Sequence, residues 1–158
     1  MLLLSVLALG SPLPNLEDTT AMIAERDAVL FEIAFEKCEP EALRRMLDDK
    51  FRMLHDLGGR VAGTADAFVE NYASDCQGKV AAAYRNKREH VEGSRKVQLL
   101  GDWGALEEGH HIFMESNGGG PWVKTGKARY IHAWRWTGET FVLDESLSVD
   151  HGPYEGEH

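Results

Sequence analysis

KARYIHAWRWTGETFVLDESLSVDH, residues 127–151, reads as two β-strands and the turn between them. Along 127–137, Tyr130, His132, Trp134 and Trp136 fall on one face, and Arg129 and Arg135 on the other. A period of two marks a strand with one buried side, so the aromatic face is expected inside. Thr137-Gly138-Glu139 supplies the turn. Strict alternation along 140–151 places Leu143, Leu147, Val149 and His151 together, with Ser146, Ser148 and Asp150 opposite.

Working back along the chain, strand-like segments recur at 104–115, 95–100 and 87–91, with turn signals at Gly101-Asp102 and Glu92-Gly93. In 104–115 one face carries Ala105, Glu107, Gly109, His111 and Phe113; the other carries Leu106, Glu108, His110, Ile112 and Met114. Alternation alone does not choose between them. The connection Ser116–Trp122, SNGGGPW, is long for a hairpin and reads as a mobile tip or as a lid gated by Trp122.

The first half of the chain has the helical period. Ile23, Leu30 and Ala34 form a stripe from Thr20 to Lys37, with Thr19 or Thr20 as cap. Pro40 suits the first turn of a short helix through Leu47, and Thr64 caps a third presenting Phe68, Val69 and Tyr72. Between them, 51–57 alternates as a strand with Phe51, Met53 and His55 on one side, ended by Gly58-Gly59. Helices followed by an antiparallel meander give an α+β class with the helices on one sheet face.

At 158 residues, with 43% hydrophobic and 27% charged residues, the chain is one globular domain able to bury a core unaided. The net charge of −9 argues against nucleic acid or an anionic membrane as partner. The basic residues Arg85, Lys87, Arg88, Arg95 and Lys96 read as a solvated, aggregation-resistant edge. Residues 1–10, with the apolar run LLLSVLAL and small residues at Ala8 and Gly10, read as a signal peptide. That run is too short to span a bilayer. The expected location is therefore periplasmic or secreted, and cytoplasmic if the leader does not function. In an exported protein Cys38 and Cys76 are most simply a disulfide, the other reading being two buried thiols.

Three segments carry a family resemblance: 26–59, RDAVLFEIAFEKCEPEALRRMLDDKFRMLHDLGG; 101–113, GDWGALEEGHHIF; and ARYIHAWRW with FVLDESLSVDH, closing at His151. In this order they resemble the nuclear transport factor 2-like, or SnoaL-like, superfamily over residues 20–152, and among its members the small bacterial proteins of unassigned function. The resemblance implies a cone-shaped half-barrel, in which a curved antiparallel sheet and three N-terminal helices on its concave face enclose a pocket. Dimerisation through the outer sheet face is common in the superfamily, and activity varies widely within it. Matching Gly109-x-His111-x-Phe113 to the family's inward-facing pattern turns the His111 face of 104–115 inward.

On that reading His55, His111, His132 and His151 are candidates for one cavity, together with Tyr130, Phe113, Trp134, Glu107 and Asp56. Histidine beside a carboxylate suits proton transfer near a carbonyl, the chemistry common in the superfamily. No catalytic constellation of the family is matched residue for residue, so whether the chain is an enzyme stays open. No HExxH or similar spacing points to a metal, and no cofactor is implied. His90 and His158 read as solvated, and 153–158 as a short polar tail. The expectation is an exported protein binding a small apolar or carbonyl-bearing molecule. The other reading is a dimeric interaction or structural module whose histidines are core residues. With His111 inside, Leu106, Ile112 and Met114 form an outer apolar row suited to a homodimer.

Overall fold

Asn15, rather than Thr19 or Thr20, caps the first helix: its side chain accepts the Asp18 N–H at 3.0 Å. The computed structural model describes residues 10–156, so most of the expected leader and His158 lie outside the described residues. Helix α1 runs Leu16–Phe31 and continues as a wider π turn, Glu32–Glu36, closed by Lys37 N–H on the Glu32 carbonyl at 3.0 Å. The π turn brings Phe31 and Phe35 together, ring centroids 5.7 Å apart. Helices α2, Pro40–Met46, and α3, Ala65–Ala81, follow, the latter capped by Thr64 as expected.

The strands are β1 Leu47–His55, β2 Gly59–Ala62, β3 Tyr84–His90, β4 Lys96–Leu100, β5 Gly104–Asn117, β6 Val123–Trp136 and β7 Phe141–Pro153. They form one sheet in the order β2-β1-β7-β6-β5-β3, with β4 on the same edge of β5 as β3. The three helices and the mostly antiparallel sheet make the expected α+β cone. One element differs: β1 pairs with β7 in parallel. β1 reaches the sheet from α2 at its start and leaves through a hairpin to β2, a pairing that local alternation does not reveal.

The core lies between helices and sheet, where Ile23, Leu30, Leu43 and Tyr72 meet Phe51, Trp134, Phe141 and Leu143. Ala105, Glu107, Gly109 and His111 are buried, so β5 turns the face selected by the resemblance inward. Gly109 is required there: a Cβ on it would stand 2.6 Å from the Tyr130 hydroxyl and 2.9 Å from its ring.

Two sequence readings of the sheet are corrected. On β7, Ser146 and Ser148 are buried, while Leu147 and Val149 are only partly so. The β6–β7 register shifts between Ala133 and Trp134 and again between Lys127 and Arg129. Each irregularity switches the side of the sheet that successive residues face. The inward set is thus Leu143, then Ser146 and Ser148, then His151. The basic hairpin is not simply a solvated edge either. Arg88 is 3% exposed and Arg95 21%, both paired with buried carboxylates, and His90 is half-buried beside Tyr130.

Smaller differences follow the same logic of tertiary contact. Trp122 packs under Arg85 and Lys87, 4.9 and 4.7 Å from its ring centroid, rather than gating the cavity. The C-terminal tail continues β7 to Pro153, and Tyr154 N–H reaches the Thr125 carbonyl at 3.2 Å. The expected Cys38–Cys76 bridge is not formed. Both are thiols, Cys38 exposed and Cys76 buried, and the hydrogen bond to Cys76, followed by burial, raises the Cys38 pKa.

Candidate functional site

Two rows of paired residues run across the sheet beneath a cavity. His55 on β1, Ser148 on β7, Tyr130 on β6 and Gly109 on β5 make one; Met53, Ser146, His132 and Glu107 make the other. Phe31 and Phe35 of α1 and its π turn close the space from above, and His111, Phe113 and His151 complete it. The cavity measures about 300 Å³. Of the sequence candidates, His55, His111, His132, His151, Tyr130 and Phe113 line it. Glu107 and Trp134 stand behind the wall and Asp56 at its outer end.

The inner end holds a buried charge network. Asp27 and Glu107 are both fully buried. Arg88 Nη1 donates to Asp27 at 2.6 Å; Arg95 donates to Asp27 at 2.9 Å and to Glu107 at 2.7 Å. Glu107 also accepts the Tyr130 hydroxyl at 3.0 Å and the Trp134 indole N–H at 2.8 Å. Two cations thus balance two anions, the condition for burying any of them. Burial works to raise the Glu107 pKa, but the His132 ring, Arg95 and Trp134 outweigh it and hold the carboxyl well below its ordinary range. Phe31 covers the Arg88 guanidinium at 3.7 Å from its ring centroid.

His132 Nδ1 lies 3.6 Å from Glu107 and 3.7 Å from Asp27, just beyond hydrogen-bond reach. His111 is defined more sharply. Arg88 Nε donates to its Nδ1 at 3.1 Å, which leaves the ring proton on Nε2. That Nε2–H is buried and has no partner among the described residues. Burial, then the charges of Arg88 and the neighbouring histidines, push the His111 pKa down to about 2. The ring is a neutral donor at any ordinary pH.

The outer end is built on β1 and β7. His151 Nδ1 meets Asp56 Oδ1 at 2.6 Å, and the His151 backbone N–H donates to Asp56 Oδ2 at 3.0 Å. The His55 ring stacks on His151 at 4.1 Å, and its Nδ1 accepts the Leu57 N–H at 3.1 Å. Burial, then the charge of His151, lowers the His55 pKa against the pull of Asp56. The His151 N–H heads the interactions that lower Asp56.

Among the described residues two groups gather the donor set for a cation: His55, Asp56 and His151, and Asp27, Glu107 and His132. Neither is arranged to hold one. The near-parallel stacked rings of His55 and His151 cannot aim two lone pairs at one point, and the His55 Nδ1 lone pair is engaged by Leu57. In the inner group Arg88 and Arg95 already neutralise both carboxylates.

Asp27, Arg88, Arg95, Phe31, Phe35, Ser146 and Ser148 were not among the sequence candidates. Asp27 left a signal: it falls on the apolar stripe of α1, four residues after Ile23 and three before Leu30. The arginines left none, because their inward turn depends on the burial of Asp27, far away in sequence, and of Glu107, which alternation alone does not place inside.

No family profile matches the chain, and no curated protein sequence does. Solved structures do. One from Novosphingobium aromaticivorans, described as a nuclear transport factor 2-like protein with a cystatin-like fold, superposes with a TM-score of 0.66 over 84% of this chain and 82% of that one, at 15% identity. The chain has the nuclear transport factor 2-like fold. A putative scytalone dehydratase from the same organism gives a TM-score of 0.66, 9% identity, and coverage of 90% of this chain and 94% of that chain. A structure from Catenulispora acidiphila in complex with S-DNPA gives 0.66, 7% identity, and 84% and 94% coverage. At these identities the likeness establishes the nuclear transport factor 2-like fold and leaves the chemistry to the residues.

Proposed function

We propose that the cavity binds a small, largely apolar, carbonyl-bearing molecule and that the chain moves a proton on it. The observation that carries this reading is the unpartnered Nε2–H of His111, 2% exposed as a residue, on a wall otherwise rich in aromatic rings. A buried donor without an acceptor costs about 1–3 kcal/mol, and a carbonyl oxygen brought against the ring edge by a bound molecule would recover it. A neutral imidazole N–H polarises that carbonyl. His132, with Nδ1 directed at Glu107 and Asp27, keeps Nε2 as the basic nitrogen for an adjacent C–H. The putative scytalone dehydratase and the S-DNPA complex support the reading, since proteins of this fold can act on or hold small molecules.

The test uses 2-tetralone in D2O. NMR should show exchange of its α-protons above the buffer rate, falling about 100-fold in His132→Phe and in His111→Phe. Exchange at the buffer rate in the folded wild type overturns the reading.

Export, pairing and oxidation belong to the same proposal. Cleavage after Gly10 would leave Ser11 anchored, with its N–H on the Gly138 carbonyl at 2.8 Å and its carbonyl accepting Trp136 Nε1 at 2.7 Å. Leu106, Ile112 and Met114 are half-buried on the outer sheet face, where a second copy would cover them. The contact between the Cys38 and Cys76 thiols suits closure to a disulfide outside the cell, read as a loss of two hydrogens by mass spectrometry.

A further inference from the structure

The outer end of the cavity contains an arrangement that proton transfer by His132 does not use. Ser148 Oγ lies 3.2 Å from His151 Nε2, and His151 Nδ1 lies 2.6 Å from Asp56 Oδ1. The ionised carboxylate only accepts, so His151 carries its proton on Nδ1 and presents the Nε2 lone pair to the Ser148 hydroxyl. Asp56 is held in turn: its backbone N–H donates to the Ser148 carbonyl at 3.0 Å, and its second oxygen takes the His151 N–H. Hydroxyl, imidazole and carboxylate therefore stand in the order and spacing of a serine nucleophile, its base and the group that orients the base.

The backbone between them is distorted to achieve this. Residues three apart on a regular strand point to opposite faces. Asp150 adopts φ +59°, and the register slips around it, so Ser148 and His151 face the same cavity. Strain of this kind at a non-glycine residue gathers at functional sites.

We propose that Ser148, His151 and Asp56 constitute a nucleophilic serine site, acting on a small apolar carboxylic ester. Ser148 Oγ bonds to the acyl carbon as its proton passes to His151 Nε2. The acyl–alkoxy bond then breaks, and His151 returns that proton to the departing alcohol. Water, deprotonated by His151, attacks the acyl-serine; the carboxylic acid leaves and the Ser148 hydroxyl is restored. Ester and water become acid and alcohol. Two groups on the cavity wall can donate to the developing oxyanion. His55 carries its proton on Nε2, because Leu57 occupies Nδ1, and the Ser146 hydroxyl lies two residues from Ser148 on the same cavity wall. Asp56 is a positioning residue, acting through His151.

This inference rests on the cavity admitting small molecules but uses other residues and another bond. The experiment treats the full chain with diisopropyl fluorophosphate and, separately, with p-nitrophenyl acetate. Expected are one phosphoryl adduct, mapped to Ser148 by peptide mass spectrometry, and ester turnover reduced at least 100-fold in Ser148→Ala. Asp56→Asn should lower kcat while leaving KM near its wild-type value. No adduct, an adduct elsewhere, or unchanged turnover in folded Ser148→Ala overturns the proposal. The adduct reads the serine directly, so its absence leaves the tetralone exchange by His132 standing, and the converse also holds.

Discussion

Ser148 and His151 lie three residues apart on one strand, yet their side chains meet at 3.2 Å inside the cavity. The residue between them that makes this possible, Asp150, is exposed and held by Arg129 Nε at 2.9 Å. A surface backbone distortion therefore sets the geometry of an interior pair.

Asp150 should accept glycine or asparagine, which tolerate positive φ, and reject a β-branched residue. Asp150→Val is expected to destabilise the fold by about 1–2 kcal/mol, whereas Asp150→Gly stays within about 0.5 kcal/mol of wild type. Urea unfolding of the two variants checks this. Equal stability would remove the strain argument.

Glu107 accepts from Arg95, Tyr130 and Trp134 while fully buried. Glu107→Ala strands all three donors, and the guanidinium among them, at an expected loss of about 3–5 kcal/mol. The loss should appear in urea midpoints and in hydrogen exchange at β5 and β6.

Stability should fall with acidification from near neutral pH, well before carboxylates titrate. His111 in the folded chain protonates only at about 2, whereas in the unfolded chain it does so near 6.5. Below 6.5 the unfolded state binds the extra proton, so this contribution is complete above 6.5 and is lost as pH falls towards 2, by up to about 1.4 kcal/mol per pH unit. His55 and His90 are lowered too and act in the same direction. Glu107, also lowered, adds its loss below the ordinary carboxylate range. Urea melts at pH 8, 6.5 and 5 measure the slope, and His111→Phe should flatten it.

The outer sheet face gives the fourth prediction. Ile112→Glu puts a charge into the half-buried row with Leu106 and Met114. Sedimentation should show a dimer for the wild type and a monomer for the variant, with tetralone exchange retained. A monomeric wild type would end the pairing proposal.

The aromatic alternation of Tyr130, His132, Trp134 and Trp136, the Thr64 cap and the Pro40 start were all legible in the sequence. They are local: side-chain period and backbone preference act over a few residues, wherever the segment ends up. His111 and Glu107 needed the family resemblance as well, since alternation divided β5 into two faces without saying which was inner. What tertiary structure alone decided was every feature that depends on a partner distant in sequence. The β7 register slips reversed the facing of Ser146 and Ser148, because β7 must satisfy β1 on one side and β6 on the other. Arg88 and Arg95 turned inward because Asp27, more than sixty residues away on α1, and Glu107, across the β4–β5 hairpin from Arg95, are buried there and require compensating charge. A hydrogen-bond register and a buried ion pair are properties of two segments at once. No single stretch of residues specifies them.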